Sequence, residues 1–143
     1  MSDLDDLRDR YHHSVEALIQ GDPEPQMVLW SRRDDVTLAN PYGPPAKGWE
    51  RVCQVAARAA SLLREGESLT FDRVSGYETD DLAYDVGIQR FRAKVGGSVD
   101  MAPVALRVTT IFRREEDGWR ILHRHADTIT EDGWPDPVGP SGG

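Results

Sequence analysis

The sequence predicts an α+β domain in which helices come first and a curled antiparallel sheet follows. Three observations carry that prediction. Apolar residues near the start recur at spacings of three and four. From Leu69 onward the apolar period changes to two. Short polar strings, Thr79-Asp80-Asp81, Gly96-Gly97-Ser98 and Glu116-Asp117-Gly118, punctuate that second part. Sequential strands joined by tight turns form a meander, and helices cover one of its faces.

The elements follow in order. Leu4, Leu7, Tyr11, Val15, Leu18 and Ile19 form one stripe of an amphipathic helix. Ser2 caps its start, while Asp3, Asp5 and Asp6 suit the positive end of the helix dipole. Gly21 ends it. Pro25 opens a short second helix through Met27, Val28, Leu29 and Trp30. Val36 to Asn40 reads as a short strand, broken by Pro41-Tyr42-Gly43-Pro44-Pro45. Gly48 to Leu63 is a second long helix with Gly66 as its stop. Its apolar face is Trp49, Val52, Val55, Ala56, Ala59, Leu62 and Leu63. Four strands complete the fold: Leu69 to Tyr77, Leu82 to Lys94, Met101 to Arg114, and Trp119 to Thr130. Long strands that bend wrap around the first helix, and the mouth between helix and sheet is the natural ligand site.

The 143 residues fit one domain, expected over residues 1–130, with a Gly- and Pro-rich flexible tail over 131–143. Apolar residues make up 38% and charged residues 29%, which suits a soluble fold. The net charge of −8, with basic residues interleaved among acids, argues against nucleic acid and against anionic membranes as partners. No apolar run is long enough to span a bilayer. The acidic start, Met1-Ser2-Asp3-Leu4-Asp5-Asp6, is unlike a signal peptide, so the expected location is cytoplasmic. The single cysteine, Cys53, leaves no internal disulfide and reads as a small apolar filler.

Several strings, taken together in their order and spacing, match a known pattern. They are Asp35-Val36-Thr37-Leu38-Ala39-Asn40-Pro41-Tyr42-Gly43, then Lys47-Gly48-Trp49, then Asp81-Leu82-Ala83-Tyr84. Leu106-Arg107-Val108-Thr109 through Arg113-Arg114 continues the series. Gly118-Trp119-Arg120-Ile121 and His123-Arg124-His125-Ala126-Asp127 close it. Over residues 3 to 130 the chain resembles the SnoaL-like branch of the nuclear transport factor 2-like superfamily, and its final strand is also similar to that of the association domain of calcium/calmodulin-dependent kinase II. The resemblance implies a cystatin-like roll, a cone-shaped curved sheet wrapped around N-terminal helices. It implies a deep pocket for a small apolar molecule and a homodimer formed through the outer face of the sheet. It fixes no activity, because the superfamily holds isomerases, cyclases, dehydratases and non-catalytic binding modules.

Ketosteroid isomerases of this superfamily use an aspartate base and a pair of oxyanion donors. Here Asn40 stands at the base position, and an amide accepts no proton at useful pH. The positions matching the donors are Ser14 and Thr109, with Tyr11 one helical turn from the first. The final strand offers another set. His123, His125 and Asp127 alternate and so share a face, which Trp119 and Ile121 are expected to continue. Arg107 and Thr109 on the preceding strand are expected to join it. A histidine oriented by a carboxylate is an acid–base unit, and Arg107 suits an enolate or a carboxylate ligand.

The same residues also read as a polar network that seals the pocket floor, or as a three-ligand metal site. No metal or organic cofactor is expected. Tyr11, Trp30, Asn40, Tyr42 and Thr109 are the expected ligand-binding residues. Trp49 and Trp119 read as packing, and His12 and His13 as surface residues. Two readings of function remain. One is an acid–base isomerase, dehydratase or cyclase acting on a polyketide- or steroid-like molecule through His123, His125, Asp127 and Arg107. The other is a non-catalytic ligand-binding or association module.

Overall fold

A computed structural model describes residues 2–129. The expected tail over 131–143, and the domain's expected last residue, lie outside the described residues. The element order is α1 (Asp3–Leu18), α2 (Glu24–Met27), β1 (Thr37–Ala39), β2 (Ala46–Lys47), α3 (Trp49–Ser61), β3 (Leu63–Glu78), β4 (Leu82–Val95), β5 (Ala102–Glu115) and β6 (Gly118–Thr128).

Helix α1 forms as its pattern requires. Ser2 adopts extended backbone, and its Oγ accepts from the Asp5 N–H at 3.1 Å. Leu4, Leu7, Tyr11, Val15 and the following Ile19 point into the core, each less than a tenth exposed. Gly21, at φ +100°, turns the chain away. Helix α3 starts at Gly48, at φ +91°, and buries Val52, Ala56 and Ala60.

The six strands make one mixed sheet in the order β2-β1-β6-β5-β4-β3. Strands β3 to β6 form the expected meander. Strand β1 joins it parallel to β6, pairing Thr37 with His123 and Ala39 with His125, and β2 folds back antiparallel on β1. The sheet is curled but not closed. Its inner face carries Ala83, Asp85, Gln89, Phe91 and Ala93 on β4, Val108, Thr110 and Phe112 on β5, and Trp119, Ile121, Arg124 and Ala126 on β6, all buried. Those residues close against the apolar stripe of α1 and the buried side of α3.

Two expectations need correction. Gly66 does not stop α3. The helix ends at Ser61, and Gly66 lies inside β3, whose first residue is Leu63 rather than Leu69. A Cβ at Gly66 would overlap the side chain and carbonyl oxygen of Ile19, so glycine is required where β3 crosses the end of α1. Glu65 and Ser68 adopt positive φ, 56° and 59°, and the β3–β4 register slips around both. The helical spacing of the apolar residues hid this irregular start of the strand. The second correction concerns β6. Phe112 pairs with Ile121 while Ile111 pairs with His123, so Leu122 is an extra residue, a β-bulge.

Candidate functional site

The bulge decides which side chains reach the interior. Trp119 and Ile121 face the helices. One residue inserted at Leu122 reverses the alternation, so that beyond it Arg124 and Ala126 face the helices instead. His123, His125 and Asp127 do share a face, but it is the outer one, and Trp119 and Ile121 do not continue it. There His123 Nδ1 lies 2.7 Å from Thr37 Oγ1, and His125 Nε2 lies 2.8 Å from Asp127 Oδ2. The His125 and Asp127 side chains are 50% and 43% exposed. Arg107 stands opposite Asp127, and Thr109 opposite His125, on that same outer face. The expected cluster is therefore assembled as the pattern suggested, outside the hollow rather than within it. The described residues contain no group of three or more ligating side chains placed to hold a metal.

Burial lowers the pKa of the His123 imidazole below its ordinary value, and the neighbouring His125 adds to the effect; the contact with Thr37 pulls the other way.

Among the described residues, two chambers of note open on the inner face. The first, about 230 Å³, lies between α1, α3 and the strands. Its walls include Leu18, Phe91, Val104, Leu106 and Ala126, with Asn40 and Tyr42 at one side and Arg124 at its polar end. Asn40 and Tyr42, singled out in the sequence, are thus part of this lining. Trp30 is not: it is fully buried, its backbone bridged in parallel to Ile121 of β6, and it belongs to the core rather than to a pocket rim. The second chamber, about 250 Å³, is lined by Arg8, His12, Tyr11, Phe71, Arg73, Asp85, Gln89 and Thr110. His12, expected as a plain surface residue, is one of its walls.

A buried polar string divides the chambers. Arg124 donates through Nη1 to the Tyr11 hydroxyl at 2.5 Å and through Nη2 to Gln89 Oε1 at 3.0 Å. The Tyr11 hydroxyl shares a 2.9 Å bond with Thr110 Oγ1, and its ring meets Phe112 edge to face. Ser14 turns its hydroxyl back to the Tyr11 carbonyl at 2.6 Å, so it offers nothing to a ligand. On the far side Asp85 is gripped by Arg8 through paired bonds of 2.8 and 2.9 Å, with Arg73 at 3.5 Å.

A model of the SnoaL-like domain matches residues 7–129. The chain belongs to the SnoaL-like domain family. Solved structures agree on the fold. A ketosteroid isomerase-like protein from Erwinia carotovora atroseptica superposes with a TM-score of 0.72 at 15% identity, over 88% of this chain and 93% of that one. A nuclear transport factor 2-like superfamily protein from Salmonella enterica serovar Typhimurium gives 0.70 at 16% identity, over 92% of each chain. An NTF2-like protein with a cystatin-like fold from Novosphingobium aromaticivorans gives 0.64 at 18% identity, over 92% of this chain and 86% of that one. A comparison with curated proteins gives no match. No helix among the described residues of this SnoaL-like domain is long and apolar enough to cross a membrane.

Sequence reasoning passed over Arg124, Gln89 and Thr110, the inward groups, in favour of Arg107 and Thr109. A signal was available. Ile121-Leu122 is an adjacent apolar pair inside an alternating strand, and Ala126 falls on the opposite parity to Trp119 and Ile121. An apolar set that changes parity partway along a strand marks an inserted residue.

Proposed function

We propose that this SnoaL-like domain binds a small, largely apolar molecule in the first chamber and works as a homodimer joined through the outer face of the sheet. One observation carries the binding reading: an apolar hollow that ends on hydrogen-bonding groups, the arrangement expected of a ligand site. The described lining holds no carboxylate, imidazole or thiol. It therefore offers no proton acceptor suited to neutral pH, which favours binding over acid–base turnover. Asn40 and Tyr42 take the role of positioning groups at the mouth. Tyr11 acts from behind, by holding Arg124.

The dimer reading is supported by what the outer face exposes. Tyr77 and Tyr84 pair across β3 and β4 with ring centroids 6.3 Å apart, at 62% and 39% exposure. Leu82 beside them, and the half-buried Val86, Ile88 and Ile111, extend an apolar surface across the sheet. His123, His125, Asp127, Arg107 and Thr109 border that surface. In this reading they are polar groups at the edge of a subunit contact.

The binding reading is tested with Leu106→Trp, which fills the chamber from a half-buried wall position. Wild-type protein gains thermal stability with saturable dependence on an apolar ligand such as 1-octanol, and the variant keeps its circular dichroism but loses that gain. A variant that binds as the wild type does, or a wild type that binds nothing apolar, removes the reading.

A further inference from the structure

The guanidiniums nearest the core beside Arg124 are paired with acids. Arg8 takes Asp85 at 2.8 Å, and Arg113 takes Asp35 at 2.6 Å and Glu115 at 2.9 Å. Arg120 takes Asp117, and Arg73 shares Asp85. Arg124, the one arginine among the described residues that is buried outright, differs from them. It is only 4% exposed, yet no described carboxylate comes within ion-pair distance of it. Its hydrogen bonds go to two neutral acceptors, the Tyr11 hydroxyl and the Gln89 amide oxygen. A guanidinium carries more N–H groups than these use. The buried acid on the same sheet face, Asp85, is already occupied by Arg8 and Arg73.

A buried cation without a counter-charge is costly, because it gives up hydration and regains little of it from neutral dipoles. The arrangement makes physical sense when the missing anion arrives with something else. Arg124 is also the charged end of the first chamber, whose other walls are mostly aliphatic and aromatic. Tyr11 and Gln89 fix the guanidinium from the side away from that hollow, through donors on both terminal nitrogens. A side chain held in this way loses little freedom when a ligand docks.

We propose that the chamber is a site for a small organic acid, with its carboxylate on Arg124 and an aliphatic or single-ring body along Leu18, Phe91, Val104 and Leu106. This rests on the reading that the chamber binds a small apolar molecule, and adds the charge and the polarity of that ligand. The size follows from the space: about 230 Å³ falls below the ~300–1,000 Å³ of sites for drug-sized compounds. The protein's net charge of −8 disfavours adventitious anions on its surface, so a saturable carboxylate signal reports the pocket.

The test compares octanoate, 1-octanol and octylamine by calorimetric titration against the full chain, its Arg124→Met variant and its Arg124→Lys variant. In wild type, octanoate binds at least roughly tenfold more tightly than 1-octanol, the margin expected of charge-assisted hydrogen bonds in a desolvated site, and octylamine does not bind. Arg124→Met abolishes the preference for octanoate over 1-octanol, and Arg124→Lys retains part of it; a folded Arg124→Met protein that keeps the full preference overturns the inference. Equal affinity for octanoate and 1-octanol in wild type overturns the acid-binding inference while leaving the chamber as an apolar site. Failure of both to bind overturns the chamber reading and this inference together. If Arg124→Met does not fold, the wild-type comparison decides by itself.

Discussion

His123 shows how far the environment of one ring is set by its neighbours. The imidazole is half-buried, bonded to Thr37 and 6.5 Å from the His125 ring, with Asp127 beyond His125. Burial first, and then His125, lower its pKa from the ordinary 6.5. The folded state therefore binds a proton less readily than the unfolded chain does. A group of this kind contributes stability that is fully present above its unfolded pKa and is lost as pH falls below it, through the lowered folded value. The window opens just below 6.5. In His123→Asn, which keeps a polar partner for Thr37, the melting temperature is expected to fall less than in wild type between about pH 7 and pH 5.5. Melting curves at both pH values check this. Equal losses in the two proteins would assign the pH dependence elsewhere.

At the scale of elements, β6 matters most. Its bulge at Leu122 turns the final strand from one that would aim two imidazoles inward into one that aims a guanidinium inward. Deleting Leu122 restores unbroken alternation. That change would force either Trp119 and Ile121 or Arg124 and Ala126 out of the core, so the variant is expected to forfeit most of the ~5–15 kcal/mol that holds a domain together. A broad, non-cooperative thermal transition is the expected observation, and a sharp wild-type transition would show that the bulge is dispensable. At the start of β3, Gly66→Ala is expected to cost about 1–3 kcal/mol, measured by urea unfolding, because the added methyl meets Ile19.

Much of the element order was legible in the sequence. The stripe from Leu4 to Ile19 gave α1, and the period-two segments between polar turns gave β4, β5 and β6 within a few residues. What escaped had local physical causes. The Leu62-Leu63 pair continues the helical spacing of α3, although the chain there is already strand, kinked by positive φ at Glu65 and Ser68. Two-residue β2 has too little sequence to carry a period. In β6 the string His123-Arg124-His125 keeps perfect alternation on both sides of the question, so alternation could not say which of its two faces turns inward. Of the residues singled out in the sequence, Asn40 and Tyr42 line the first chamber and Tyr11 lies behind it, whereas Arg107 is on the outer face and the guanidinium that lines the chamber is that of Arg124.

At the scale of the whole molecule, the two faces of the sheet differ in character. The inner face holds the chambers and their polar partition, while the outer face leaves Tyr77, Leu82 and Tyr84 in solvent. A single charge placed in that outer surface tests the two proposed roles separately. Ile88→Glu is expected to yield a monomer by sedimentation velocity at micromolar concentration, where the wild type is a dimer, and to leave ligand binding in the chamber within about threefold of wild type. A wild type that sediments as a monomer would remove the subunit contact from the proposal.

The parallel pairing of β1 with β6 also governs the order of assembly. Thr37 and His123, partners in the ladder, are 86 positions apart. Neighbouring strands of the meander close short loops and can zip together early, but the β1–β2 hairpin has no sheet to join until the closing strand is in place. Its amides should be the slowest to gain protection from hydrogen exchange during refolding, and the mouth residues Asn40 and Tyr42 that follow β1 should settle last with them. Ligand capacity would then appear only at the end of the folding reaction, after the meander is already formed.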